Sequence, residues 1–240
     1  MKNLIIFGFF ILVLVCAQFA QAQTVDEVLD KYIAAVGGKD KLLALSSVTT
    51  QGVSVMNGNE ITTTTIKVQG KLFRNEINFG MGSAVTIVTP EKGWRSNPRN
   101  GGAFEPMAED VLKASQYQMD CPGPLVNYAA KGHKAELLGK ETVDNTDCFK
   151  IKLTTNSAKE ITYWIDSKTY LMHQTAQKGG FGGGSGGDTE VTTIYKDYKD
   201  VDGLQFPFTA DISGGFGGGT MTYEKIELNK PVDEKLYKPE

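Results

Sequence analysis

The chain has 240 residues, with 25 Lys+Arg against 28 Asp+Glu, a net charge of −3 and 40% hydrophobic residues. This mild acidity suits solubility and leaves no basic footprint for nucleic acid. The length fits one large domain or at most two. The histidines, His133 and His173, have no second His or Cys at ligand spacing, so no zinc site is expected.

The opening "MKNLIIFGFFILVLVCAQFAQA" (1–22) places Lys2 before an apolar run from Leu4 to about Ala17, then Ala20-Gln21-Ala22. That is the charged, apolar and A-x-A layout of a secretory signal peptide. The run is shorter than the roughly 18 to 20 residues that a membrane span needs. Cys16 follows Val15, where lipid modification calls for a small residue, so acylation is not expected. The expectation is a cleaved leader over 1–22 and one exported domain over 23–240. Cys121 and Cys148 would remain, either as a disulfide or as two buried thiols acting as small apolar residues.

"TVDEVLDKYIAAVGG" reads as a helix. Thr24 and Glu27 have capping-box spacing, Val25, Val28, Leu29, Tyr32, Ile33 and Val36 share one face, and Gly37-Gly38 supplies the stop. "KDKLLAL" reads as a short second helix. From Val48 the period changes to two. "VTTQGVSV" and "EITTTTIKV" flank the hairpin signal Asn57-Gly58. "KLFRNEINF" sets Phe73, Ile77 and Phe79 on one face and Arg74 and Glu76 on the other. "SAVTIVT" is a further strand, with Trp94 just beyond it. Residues 99–134 break the β pattern, and "EPMAEDVLKASQYQ" predicts a helix over 106–118, opened by Pro106 and acids. "CPGPLVNYAAKG" reads as a loop with another short helical piece. "AELLGKET", "CFKIKLT", "EITYWID", "TYLMHQTAQ", "TEVTTIYKDY", "LQFPFTADI" and "TMTYEKIELN" then follow as strands. Short strands in sequence, without strand–helix alternation, argue for an antiparallel sheet or barrel.

"GGFGGGSGGDTE" (179–190) and "GGFGGG" (214–219) demand a separate explanation. Gly182, Gly184 and Gly187 satisfy G-x-G-x-x-G, but a strand follows where a dinucleotide site needs a helix. The calcium nonapeptide pattern is half matched, in one copy, and such sites need stacked repeats. "YKDVDG" fails the EF-hand ligand positions and reads as a turn. Glycine inside a strand costs roughly 0.5–1 kcal/mol per residue relative to alanine, so these stretches belong in hairpin tips. In a simple meander both tips lie at one end of the sheet, forming a rim with Phe181 and Phe216 on it.

No nucleophile signature such as G-x-S-x-G occurs. The better lead is the aromatic set Phe73, Phe79, Trp94, Tyr163, Trp164, Phe206 and Phe208 in or beside strands. Such residues either fill a closed core or line an apolar cavity.

Here the chain resembles a known group. "KLFRNEINF…VTIVTPEKGWRSNP", "GPLVNYAAKGHKAELLGKETVDNTDCFKIKLT", "YWIDSKTYLMHQ", "YKDYKDVDGLQFPFTADI" and "YEKIELNKPVDEKLY" are similar to the periplasmic outer-membrane lipoprotein carrier and sorting proteins (LolA-like), sorting-protein-like branch. The likeness runs over nearly all of residues 23–240, and the long glycine loops are not part of the family pattern. It implies a mainly β (α+β) fold: a curved antiparallel sheet forming an unclosed β-barrel, with helices covering the concave face. It also implies a periplasmic, non-catalytic protein without cofactor, binding lipid or lipoprotein acyl chains and meeting an outer-membrane acceptor protein. Acyl contacts would come from Phe73, Ile77, Phe79, Val85, Ile87, Trp94, Val111, Leu112, Tyr117 and Trp164. Arg74, in "FRNE", falls at the arginine of the family's F-R-x-E strand and would contact the helical lid. The competing expectation is an envelope interaction module with a closed β core.

Overall fold

A computed structural model describes residues 23–56, 58–179, 189–214 and 218–239. The N-terminal helix α1 (Val25–Val36) begins where the capping box predicts: the Thr24 hydroxyl accepts from the Glu27 N–H at 3.2 Å, and the Glu27 carboxylate accepts from the Thr24 N–H at 3.0 Å. Two orphan donors of the first turn are thereby satisfied. Gly37 ends the helix at φ 129, and a Cβ there would meet the Gly203 carbonyl oxygen at 2.3 Å. A short helix α2 (Lys39–Leu43) follows.

The remaining chain is one 13-stranded sheet, antiparallel throughout. Its first half comprises β1 (Ser47–Met56), β2 (Asn59–Val68), β3 (Leu72–Asn78), β4 (Ser83–Val88), β5 (Gly93–Ser96) and β6 (Phe104–Pro106), each paired with the next. The chain then crosses through helix α3 (Glu109–Ser115) and the segment 116–133 to the opposite edge. From there β7 (Lys134–Val143), β8 (Thr146–Thr154), β9 (Glu160–Asp166), β10 (Met172–Lys178), β11 (Glu190–Val201), β12 (Leu204–Ser213) and β13 (Gly219–Leu228) return by hairpins. β13 pairs with β1 and joins the halves, while β6 and β7 remain as separate edges. The sheet is therefore unclosed, as the family resemblance implies.

Two local details depart from expectation. Two strands the period-two pattern does not mark, β5 and β6, of four and three residues, extend the sheet beyond β4. Pro106 belongs to β6, opposite Trp94, so the helix predicted over 106–118 starts at Glu109 and tightens to a 3₁₀ turn over Gln116–Met119. Proline lacks the N–H a ladder needs, and an edge strand tolerates it. The predicted turn Asn57-Gly58 is bracketed by the Met56–Asn59 pair, with Gly58 at φ 79; Asn57 lies outside the described residues. The "DVDG" turn is as read, with Asp200 accepting from the Gly203 N–H at 3.0 Å.

Helices cover one face of the sheet. Val28 and Leu29 of α1 pack on Phe149, Ile151, Leu153, Ile161, Tyr163 and Ile165. Ile33 and Leu42 join Val48, Val126, Leu204 and Leu228. Leu112 of α3 and Met119 pack on Phe73 and Val88. On the opposite face Leu72, Val85 and Ile87 form a cluster with Trp94 and Phe104, closed over by Val232, Leu236 and Tyr237 of the C-terminal segment. Full burial of such a side chain contributes about 1.5–3 kcal/mol, so both faces hold the fold.

Candidate ligand-binding face

The helix-covered face is built by alternation. Phe73 of β3 pairs with Val88 of β4, and Val88 with Gly93 of β5, all beneath α3. A Cβ at Gly93 would meet Met107 Sδ at 2.6 Å and Leu112 Cδ1 at 3.1 Å, so glycine there lets α3 lie close. Two residues along each strand, the next cross-strand row is Thr65, Asn75, Thr86 and Arg95. Asn75 donates to the Thr65 hydroxyl at 2.9 Å. The Arg95 Nε is buried and has no hydrogen-bond partner among the described residues. Lys67 lies on the same face beside Phe73, and burial lowers its pKa against the opposing pull of Cys121 and Asp120.

In the second half the same face is aromatic and hydroxyl-bearing. Tyr117 donates to Gln177 Oε1 at 2.9 Å, the Tyr195 and Thr175 hydroxyls are 3.2 Å apart, and Tyr198 donates to the Met172 carbonyl at 2.7 Å. Tyr163 pairs with Thr175 across β9 and β10. Burial pushes Tyr32 and Tyr117 up to about 12, and Tyr163, Tyr195 and Tyr198 upward as well. All stay protonated at neutral pH and present donors among apolar rings.

Solved structures share this architecture. A DUF1329 family protein from Desulfovibrio piger aligns with TM-score 0.55 at 11% identity, over 90% of this chain and 98% of its own. A LolA superfamily protein from Nitrosomonas europaea aligns with TM-score 0.55 at 12% identity, over 91% of this chain and 99% of its own. A domain classed as an outer membrane lipoprotein-sorting protein, from Vibrio parahaemolyticus, aligns with TM-score 0.52 at 12% identity, over 88% and 94%. The fold is LolA-like. No protein-family profile matches the sequence, and no curated protein does.

Within this LolA-like frame the sequence-derived residues separate. Phe73, Ile77, Leu112 and Tyr117 belong to the helix-covered face, and Val111 is half-buried on α3. Val85, Ile87 and Trp94 lie on the opposite face under the C-terminal segment. Trp164 also faces away from α1, packed with Cys148, Ala176 and Val143, with its Nε1 donating to Glu141 at 3.1 Å. Phe79 is 37% exposed, beyond the end of β3. Arg74 faces away from α1–α3: its guanidinium pairs with Glu76 at 3.2 Å and reaches the Leu236 carbonyl at 3.5 Å, in the 3₁₀ turn Glu234–Tyr237 of the C-terminal segment. Alternation explains the sorting, since Arg74 and Phe73 are neighbours in one strand and point oppositely.

Cys121 and Cys148 are free thiols in separate surroundings, the first half-buried and the second buried. Burial pushes them up to about 11 and about 12, which leaves both as unreactive thiols at neutral pH. The glycine stretches are carried by the β10–β11 and β12–β13 hairpins, which open at one end of the sheet. Their flanks touch, because a Cβ at Gly214 would meet the Glu190 carbonyl oxygen at 2.0 Å. Residues 180–188 and 215–217, with Phe181 and Phe216, lie outside the described residues. Exposed Val55 and Met81 stand at the same end, next to the β1–β2 and β3–β4 turns.

Sequence reasoning missed Arg95 and Lys67. Alternation within "GWRSNP" hints at Arg95, but only the register across β4 places it on the helix-covered face.

Proposed function

We propose that this is an exported, periplasmic binding protein or carrier for lipid or lipoprotein acyl chains, working without catalysis. The observation that carries the reading is the helix-covered face of an unclosed LolA-like sheet, with α3 resting on Phe73 and Val88 through few side chains. Lifting α3 and the segment after it would bare Phe73, Ile77, Leu112 and Tyr117 to a chain. Burial of acyl CH₂ groups, about 0.8 kcal/mol each, would drive binding. The leader expected over residues 1–22 would direct export, and an outer-membrane acceptor protein would take the cargo on. Lipid extraction and native mass spectrometry of protein purified from the envelope should show bound lipid. Protein that is reproducibly empty and ignores added phospholipid and fatty acid would overturn the reading.

The second reading is an envelope interaction module with a closed core. It is favoured by where the described cavities lie. One of about 290 Å³ sits by Ser47, Asn229, Val232 and Tyr237 at the C-terminal segment. The other, about 410 Å³, lies by Val53, Val55, Thr220 and Thr222. Neither of these two lies beneath the helices, and on the carrier reading α3 moves to make room for a chain. Crosslinking in the envelope that captures a protein partner, together with absence of lipid, would select this second reading.

A further inference from the structure

The helix-covered face is apolar where α3 touches it and polar one step further along the strands. Gly93 lies under Met107 and Leu112. Arg95, two residues on, projects from the same face about 6–7 Å away. Its Nε is buried without a hydrogen bond, and no carboxylate among the described residues lies within ion-pair distance of its guanidinium. Glu105, across the ladder on β6, is exposed and makes no pair with it. Lys67 is a second cation on this face without an ion pair among the described residues. The inner strand positions between them, Thr65, Asn75 and Thr86, are polar and uncharged.

A half-buried guanidinium without a partner is costly, and native structures seldom keep one without a use. Its planar fork of five N–H donors matches a carboxylate or phosphate in bidentate geometry. The apolar patch beside it matches a hydrocarbon chain. A ligand that satisfies both is an amphiphile with an anionic head.

We propose that Arg95 reads the head of the bound amphiphile, so that this face selects long-chain carboxylates or phosphate monoesters over neutral lipids of the same chain length. The proposal rests on the carrier reading above and specifies its ligand class. The head sits on Arg95 within the Asn75–Thr86 row, and the chain runs toward Phe73 and Leu112 as α3 lifts. Lys67 adds positive potential to the face without a direct contact.

The test uses the mature protein, native mass spectrometry and displacement of a fluorescent fatty-acid probe. Four ligands of one chain length are compared: palmitate, hexadecyl phosphate, hexadecanol and methyl palmitate. Arg95→Gln and Arg95→Lys variants are compared with the parent. The expected result is that palmitate, hexadecyl phosphate or both bind about ten- to a hundredfold tighter than the neutral pair, the range of a charge-assisted hydrogen bond. Preference for one anion over the other identifies the carboxylate or the phosphate source. Arg95→Gln should abolish the preference and Arg95→Lys retain part of it. Arg95→Gln should also melt no lower than the parent, because it removes an unpartnered charge. Equal binding of all four ligands, a preference that survives Arg95→Gln, or a marked fall in melting temperature would each overturn the proposal and leave the carrier reading standing. Binding of none of the four would overturn both.

Discussion

Two arginines of one sheet, on β3 and β5 with β4 between them, have opposite fates. Arg74 of β3 faces outward, 7% exposed, paired with Glu76 and capped by the C-terminal segment. Arg95 of β5 faces inward toward the helices, with its Nε buried and unpartnered. The outward face around Arg74 is finished: Leu72, Ile87, Trp94 and Leu236 close over it, and its polar atoms are answered. The inward face beneath α3 is apolar but keeps an unanswered cation. One face is organised for stability, whereas the other retains a cost that binding would relieve.

That contrast can be broken in several ways. The largest effect should come from removing residues 230–240. The truncation removes Val232, Leu236 and Tyr237 and so uncovers Leu72, Val85 and Ile87. Denaturant unfolding should then show a loss of about 3–5 kcal/mol, at 1.5–3 kcal/mol for each well-buried side chain. A loss within measurement error would mean that the segment is not part of the fold.

Next in size is Ile87→Ala. Ile87 is fully buried on the outward face, so about 2–5 kcal/mol should be lost. Acyl-chain affinity of the folded fraction should not change, and a selective loss of binding would place Ile87 on the ligand side after all. Arg74→Met should cost about 1–3 kcal/mol, the worth of hydrogen bonds to a charged group, while Arg95→Gln costs nothing. Equal losses at both positions would erase the distinction between the faces.

The smallest effect at neutral pH should be Tyr117→Phe, which removes the bond to Gln177 for about 0.5–1.5 kcal/mol. Its clearer signature is alkaline. Tyr32 and Tyr117 are held at about 12 by burial, against 10.0 ordinarily. Between those values the unfolded chain releases protons that the folded chain keeps. Stability is therefore complete below pH 10 and falls as pH rises toward 12. Denaturant midpoints at pH 8 and pH 11 should draw apart in the parent and less so in Tyr117→Phe; an unchanged gap would show that Tyr117 does not titrate as a buried group.

Much of the fold was legible in the residues. Period-two runs marked every strand except β5 and β6, which are too short for a period to show. Alternation in "LFRNEIN" correctly separated Phe73 from Arg74. It did not reveal that the C-terminal segment, 162 residues away, would cover the arginine's side. In "EITYWID" both faces are apolar, so periodicity cannot say whether Tyr163 or Trp164 meets the helices; α1 decides it by packing on Tyr163. Pro106 suited a helix start by its fixed φ and equally suited an edge strand, and the β5 ladder chose the latter.

By itself the sequence determined the caps of α1, the succession of the longer strands and the glycine hairpin positions, because these depend on local backbone preference and on side chains a few residues apart. The tertiary structure alone decided which face each strand turns to the helices, where the C-terminal segment lies and which arginine is left unpaired. Those outcomes depend on register across strands and on contacts between residues far apart in the chain, to which local periodicity is blind.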